Sequence, residues 1–225
     1  MTHDTFVPYP FTALHETEMH ERASNFYSQM NQRRSIRMYS DKQVPQRLIE
    51  HAIMTASTAP SGAHRQPWRF VAVSNPDIKR EIRIAAEHEE KRNYQGRMPP
   101  DWRNAIAHLG TNWEKPYLEV APWLVVLFEQ TKPSSDPDDN RKNYYVRESV
   151  GIAAGMFIAA IHQMGLATLT HTPSPMHFLG RILERPKHER AFMLFPVGYP
   201  AVDATVPLLT RKDLNDVAVF HTESD

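Results

Sequence analysis

The sequence predicts a β-sheet sandwiched by helices, of the α+β or α/β class. Helix-periodic stretches alternate with strand-like ones along the whole chain, with no internal repeat. Two of the strand-like stretches, WLVVLFEQ from Trp123 and RAFMLFPVGYP from Arg190, are nearly continuous apolar runs, which suits strands covered on both faces. The run from Val150 to Ile161 is apolar on every side, the pattern of a buried central helix.

Taken in order, residues 1–20 read as an extended arm, because Pro8 and Pro10 fix φ and the apolar residues follow no period. Arms of this kind wrap a partner subunit. A single domain is expected over residues 21–225, beginning with a helix near Glu21 that runs toward the arginines. A second helix starts at Pro45 and carries Leu48, Ile49, Ala52, Ile53 and Ala56 on one face, until TAPSGAHRQP stops it. WRFVAVSN, from Trp68, reads as a strand. Asn75 then caps a helix with Pro76 in its first turn and Ile78, Ile82 and Ala85 at helical spacing. From Tyr94 to Trp113 the pattern loosens, and a lid is expected over about residues 88–116.

After the Trp123 strand, TKPSSDPDDNRKN has the composition of a surface loop. NYYVRESVGIAAGMFIAAIHQMG is the central helix, where Gly151, Ala154, Gly155 and Ala159 let another helix approach closely. LATLTHTP reads as a strand, PMHFLGRIL as a helix capped by Ser174 and started by Pro175, and the Arg190 run as another buried strand. The tail TRKDLNDVAVFH carries one more possible strand.

The chain has 225 residues, 41% of them hydrophobic, enough for a proper core. Its 26 basic and 26 acidic residues cancel, so no global charge draws it to nucleic acid or to an anionic membrane surface, and any anion site is local. Without cysteine there is no disulfide, thiolate metal site, iron–sulfur cluster or cysteine nucleophile. The N-terminal residues lack the apolar core of a signal peptide, and the Val150–Ile161 run falls short of the roughly 20 apolar residues that span a bilayer. The expectation is a soluble, cytoplasmic protein.

Only eight glycines are present, and neither G-x-G-x-x-G nor a P-loop lysine motif occurs. Arg33, Arg34 and Arg37 in RRSIR are the remaining candidates for a phosphate grip, since guanidinium groups offer forked donors to phosphate oxygens; the alternative is a solvated helix end. Twelve histidines include no H-E-x-x-H pair, so no metal site is expected, and His162 reads as a hydrogen-bonded interior residue. Ser61 in PSGAH lacks the G-x-S-x-G elbow of serine hydrolases and instead sits in a loop able to offer donors to a ligand. Glu90 and Tyr94 share a face if the helix continues, and Lys115 meets them if the lid folds back. An acid, a phenol and an ammonium over one pocket suit a zwitterionic amino acid, its carboxylate on Lys115 and its ammonium on Glu90.

RRSIR, TAPSGAHRQPW, EKRNY, TNWEKPYLEVAPWLVVLFEQ, LTHTP and PVGYP occur in that order over about residues 32–215. In this the chain resembles the nitroreductase superfamily of flavin enzymes and, through Glu90, Tyr94 and Lys115 with TNW, its iodotyrosine deiodinase family. The resemblance implies an α+β nitroreductase-like fold: a central, mostly antiparallel sheet flanked by helices, in an intertwined homodimer with exchanged C-terminal tails. It implies two FMN sites at the interface, built from both chains. Arg33, Arg34, Ser35 and Arg37 match the motif that grips the FMN phosphate, with Arg211 a further phosphate partner. Pro60, Ser61 and Gly62 lie against the flavin, and the Ala63 N–H meets the substrate phenolate. Thr170, His171 and Thr172 run along the flavin edge, with Thr172 matching the hydroxyl that bonds flavin N5.

The implied reaction is reductive dehalogenation of a halotyrosine through one-electron flavin steps, releasing halide and tyrosine, with Glu90, Tyr94 and Lys115 clamping the zwitterion. Electrons come from NAD(P)H or a separate reductase. Two features depart from the family pattern: His171 stands where a threonine is expected, and Pro116 directly follows Lys115. The animal enzymes carry an N-terminal membrane anchor; this sequence shows none, which fits a bacterial, cytosolic relative. The rival readings are an NAD(P)H-dependent nitroreductase or quinone reductase, and a non-catalytic flavin protein that only captures halotyrosines.

Overall fold

The computed structural model describes residues 6–133 and 141–222, in two units, the first ending at Arg33 and the second beginning at Arg34. In the first, the chain lacks regular structure up to His15 and then forms α1 (Glu16–Gln32). This helix begins at Glu16 rather than near Glu21. The His15 imidazole accepts the Thr17 N–H at 3.3 Å, and Glu16 and Glu18 set negative charge against the helix N-terminus. No residue of α1 is buried, and Phe6, Tyr9, Phe11, Phe26 and Tyr27 are all exposed, so this unit has no core of its own.

The second unit contains α2 (Gln46–Ser57), β1 (Trp68–Val73), α3 (Pro76–Arg92), a π-helical turn at Asn93–Arg97, α4 (Pro100–Ala107), α5 (Tyr117–Val120) and β2 (Trp123–Gln130). There follow α6 (Val146–Gln163), β3 (Ala167–Thr168), α7 (His177–Ile182), β4 (Glu189–Gly198) and α8 (Leu214–Val217). The strands lie in the order β1-β2-β4-β3, and every neighbouring pair is antiparallel. Ser35 adds a parallel bridge to Thr168 at the β3 edge.

Period-two alternation sorts the strand side chains onto two cores. Val125 and Leu127 of β2, with Phe195 and Val197 of β4, pack against Ile49 and Ala52 of α2 and Val150, Phe157 and Ile161 of α6. Leu124, Val126, Phe128 and Leu194 face the other way, onto Ile82 and Ala86 of α3, Leu118 of α5 and Phe178 and Leu179 of α7. The result is the expected mostly antiparallel sheet between helical layers. Trp123 to Phe128 are all buried, as a continuous apolar run requires. Asn75 caps α3 as expected, its side chain accepting the Asp77 and Ile78 N–H groups at 2.9 and 3.1 Å.

Several expectations are corrected. α6 is buried on one face only: Val150, Ala153, Ala154, Phe157 and Ile161 are covered, while Ile152 is 46% exposed and a Cβ built at Gly151 or Gly155 meets nothing within 4 Å. The all-round apolar pattern thus marks two faces needing cover, and the chain supplies cover for one. His162, on this helix, is half-exposed rather than interior. The LATLTHTP strand shrinks to β3 with an isolated bridge from His171 to Leu194. Ser174 does not cap α7: Met176 takes the position before the helix, which begins at His177. The tail forms the short α8, not a strand, having no neighbour to pair with among the described residues. Residues 134–140 of the expected surface loop lie outside the described residues. Among the described residues, no helix is long and apolar enough to cross a membrane.

Candidate active site

The chain after α3 folds back so that Lys115 meets Glu90, and Tyr94 and Lys115 both bond Thr111. Lys115 is 2% exposed, and its ammonium lies 3.4 Å from Glu90 Oε2. The same ammonium donates to the Asn112 carbonyl and, at 3.4 Å, to Thr111 Oγ1, while the Lys115 N–H donates to Glu87 Oε1 at 2.7 Å. The Tyr94 hydroxyl donates to the Thr111 carbonyl at 3.1 Å. Burial pushes the Lys115 ammonium toward deprotonation and the Glu90 charge opposes this. Burial, reinforced by Glu90, pushes the Tyr94 phenol up. The helix does not continue unbroken from Glu90 to Tyr94 as expected. It ends at Arg92, and the π-helical turn carries Tyr94 to Thr111.

A second group includes Arg37 and His171, both expected at the site, and Tyr117, which sequence reading did not single out. Arg37, half-buried, is its common neighbour: its positive charge acts on Tyr94, Lys115, Tyr117 and His171. Tyr117 Oη lies 3.4 Å from His171 Nδ1, with the two rings edge-on. Burial, with the positive charges of Lys115 and Arg37, holds the His171 pKa at about 3, so this imidazole is neutral throughout the ordinary pH range. Its Nε2 is buried without a partner among the described residues. On either side, Thr170 and Thr172 are exposed. Glu87 was discoverable from its spacing, three residues before Glu90 and four after Arg83, with which it pairs at 2.7 Å. The Tyr117–His171 contact spans 54 residues and has no local signature.

The loop of Pro60, Ser61, Gly62 and Ala63 is held tightly. Ser61 Oγ accepts the Gln66 N–H at 2.9 Å, and the His64 and Arg65 N–H groups bond back to Ser61 and Gly62 carbonyls. None of the loop's own bonds uses the Ala63 N–H. Ala63, His64 and Gln66 all adopt positive φ, between 49° and 53°, a strained arrangement of the kind stored at binding sites. Gly62 donates to Ser149 Oγ at 3.3 Å, and a Cβ there would sit 2.5 Å from the Tyr144 carbonyl oxygen, so only glycine fits.

The arginines divide between the units. Arg33 closes α1 in the first. In the second, Arg34 donates to the Pro207 carbonyl, and Ser35 and Arg37 line a cavity of about 410 Å³ with His108, Gly110 and Thr205 among its other walls. Thr168, bridged to Ser35, has a buried hydroxyl oxygen without a partner among the described residues. A cavity of that size, walled by a guanidinium and hydroxyls, fits an anionic ligand such as a flavin nucleotide. Arg211 lies on the exposed tail. Among the described residues, no three His, Cys, Asp or Glu side chains converge as metal ligands.

This combination, a helix-flanked antiparallel sheet with a cavity walled by Arg37 and Ser35, defines a flavoenzyme-like site. A model of the nitroreductase family matches residues 30–199, and the chain belongs to that family. Within it the chain belongs with the iodotyrosine deiodinases. It is 52% identical over 216 residues to the iodotyrosine deiodinase of Haliscomenobacter hydrossis, covering 96% of this chain and 97% of that protein. It is 44% identical over 216 residues to iodotyrosine deiodinase 1 of Homo sapiens, covering 95% of this chain and 74% of that protein. Among solved structures, an oxidized iodotyrosine deiodinase bound to FMN and 3-iodo-L-tyrosine superposes with a TM-score of 0.76 at 26% identity, over 87% of this chain and 100% of that one. A BluB-like flavoprotein from Clostridium difficile 630, at a TM-score of 0.68 and 20% identity, shares the fold.

Proposed function

We propose that this protein is an FMN-dependent oxidoreductase that reductively deiodinates halotyrosines. The observation that carries the reading is the buried pairing of Lys115 with Glu90 beside the Tyr94 phenol. A nitroaromatic or a quinone offers no reason to bury two opposite charges in a lid, whereas the carboxylate and ammonium of an amino acid replace each partner with its own counter-charge. Lys115 takes the carboxylate, Glu90 the ammonium, and Tyr94 packs along the substrate.

Arg34, Ser35 and Arg37 would hold the FMN phosphate, with Arg211 as a further donor, and Pro60, Ser61 and Gly62 would lie against the ring system. Thr170, His171 and Thr172 would run along the flavin edge, with the exposed Thr172 offering its hydroxyl to N5. The chemistry that bound FMN supplies is a two-electron reduction which, with one proton, converts halotyrosine to tyrosine and halide. The Ala63 N–H, unused by the loop's own bonds, donates to the substrate phenolate oxygen and keeps the ring electron-rich and oriented. Closure of residues 88–116 excludes water from the site and strengthens each of these charged contacts.

The working form is a homodimer, with a second copy covering the open face of α6, the apolar side chains before α1 and the apolar tail residues Leu208, Leu214, Val217 and Phe220. The protein works in the cytoplasm, with NAD(P)H or a separate reductase as the electron source. Anaerobic mixing of dithionite-reduced holoprotein with 3-iodotyrosine tests the assignment: one iodide released per FMN, with reoxidation of the flavin, is expected. A flavin that stays reduced would make the protein a binder and end the catalytic reading.

A further inference from the structure

Two acids of α3 hold the two ends of one lysine. Glu90 faces the Lys115 ammonium, while Glu87 Oε1 accepts the Lys115 backbone N–H at 2.7 Å. The other oxygen of Glu87 takes Arg83 Nη1, also at 2.7 Å, and Arg83 Nε reaches Glu119 Oε2 of α5 at 2.6 Å. Arg80 Nε adds a bond to Glu119 Oε1 at 3.2 Å, and the buried Lys79 ammonium donates to the Glu119 and Ala121 carbonyls at 2.9 and 2.8 Å. Lys79, Arg83, Glu87 and Glu90 succeed one another at spacings of four, four and three, so one face of α3 carries the set.

With four residues, α5 is too short to hold its own shape, and α3 grips the segment from Lys115 to Ala121 at both ends. The Lys115 N–H is buried and needs an acceptor, but any oxygen would meet that need. A carboxylate braced by a guanidinium does more: it fixes the direction of the bond, and with it the point from which the ammonium hangs. Both oxygens of Glu87 are engaged in this brace, with its side chain 16% exposed, so the residue serves the clamp without being part of it.

We propose that Glu87 is a positioning residue for recognition of the amino acid: held by Arg83, it fixes the Lys115 backbone so that the Lys115 ammonium and the Glu90 carboxylate stand where one α-amino acid meets both. The inference deepens the halotyrosine reading above and rests on it. Glu87 then sets how well the site tells a halotyrosine from a halogenated phenol, while touching neither ligand.

The test titrates FMN fluorescence of the holoprotein with 3-iodotyrosine and with 2-iodophenol, in the wild type and in Glu87→Ala, Glu87→Gln and Arg83→Met. The readout is the ratio of the two affinities. In Glu87→Ala the ratio is expected to fall to less than about a third of the wild-type value, through weaker binding of the amino acid alone, while FMN stays bound. Glu87→Gln, whose amide oxygen still accepts the Lys115 N–H, is expected to keep a ratio at least about twice that of Glu87→Ala. Should Glu87→Ala lose flavin, Arg83→Met, which frees Glu87 from its brace, carries the comparison with the same expected fall. A merely structural brace lowers the melting temperature and leaves the ratio intact. An unchanged ratio, or a Glu87→Gln ratio as low as that of Glu87→Ala, overturns the positioning role. A wild-type protein that binds no FMN, or that binds both ligands equally, overturns the underlying assignment, and the positioning role with it.

Discussion

Lys115 Nζ lies 3.4 Å from Glu90 Oε2, with side chains only 3% and 15% exposed, so the two charges of the lid are paired with one another out of water. Removing one partner and removing the charge altogether then have different consequences. Glu90→Gln leaves an ammonium buried without its counter-charge and is expected to cost on the order of 3 kcal/mol in urea unfolding. The double variant Lys115→Met with Glu90→Leu removes both charges and is expected to be neutral or stabilising. Both variants bind halotyrosine at least about tenfold more weakly, one charge-assisted hydrogen bond being worth roughly 1.5–3 kcal/mol. A double variant destabilised as much as Glu90→Gln would contradict the buried pair.

The pH dependence of stability has a definite sign at His171. Its pKa is about 3 in the folded chain against an ordinary 6.5. Between these values the unfolded chain binds a proton that the folded chain does not. Stability is therefore full above pH 6.5 and declines as pH falls from there toward 3, by at most about 1.4 kcal/mol per pH unit from this residue. The melting temperature of His171→Gln, followed from pH 7.5 to about 4.5, should fall less steeply than that of the wild type. Parallel slopes would show that the imidazole titrates freely.

Gly62→Ala forces a Cβ to within 2.5 Å of the Tyr144 carbonyl and breaks the approach of the loop to the start of α6. The expected result is FMN affinity reduced by at least about tenfold with the fold retained, as overpacking typically costs 1–3 kcal/mol. Ultrafiltration and flavin absorbance measure it directly. Retention of full FMN affinity would remove this loop from the cofactor site.

Ile152→Asp places a charge on the open face of α6, where Ile152 is 46% exposed in the single chain. If a second copy covers that face, the variant elutes as a monomer by light scattering and loses FMN. A wild-type monomer, or a variant still dimeric and yellow, argues against a site built from two chains.

The parts of this protein legible in the sequence are those fixed by local pattern. The Trp123 run announced the buried strand and Asn75 with Pro76 announced α3, whereas Glu90 and Lys115 meet through a fold-back that no spacing specifies. Features depending on distant partners were not legible. The tail offered apolar alternation but has no strand beside it among the described residues, and α6 reads as buried all round although one of its faces stays open in the single chain. Tyr117 and His171 both stand in recognised motifs, but their contact was not legible, since only the fold brings two residues 54 apart within 3.4 Å. Thr168 was overlooked for the same reason: its unpaired hydroxyl is visible only once Ser35 is seen bridged to it.

The most direct test of the account is a comparison of two ligands on one sample. FMN fluorescence of the purified holoprotein is titrated with 3-iodotyrosine and with 2-iodophenol, which shares the halogenated phenol and lacks the zwitterion. Loss of the contacts to Glu90 and Lys115 predicts that the phenol binds weaker by at least about tenfold, with the difference abolished in Lys115→Met combined with Glu90→Gln. Equal affinities for the two ligands in the wild-type protein would contradict the claim that this lid recognises an amino acid.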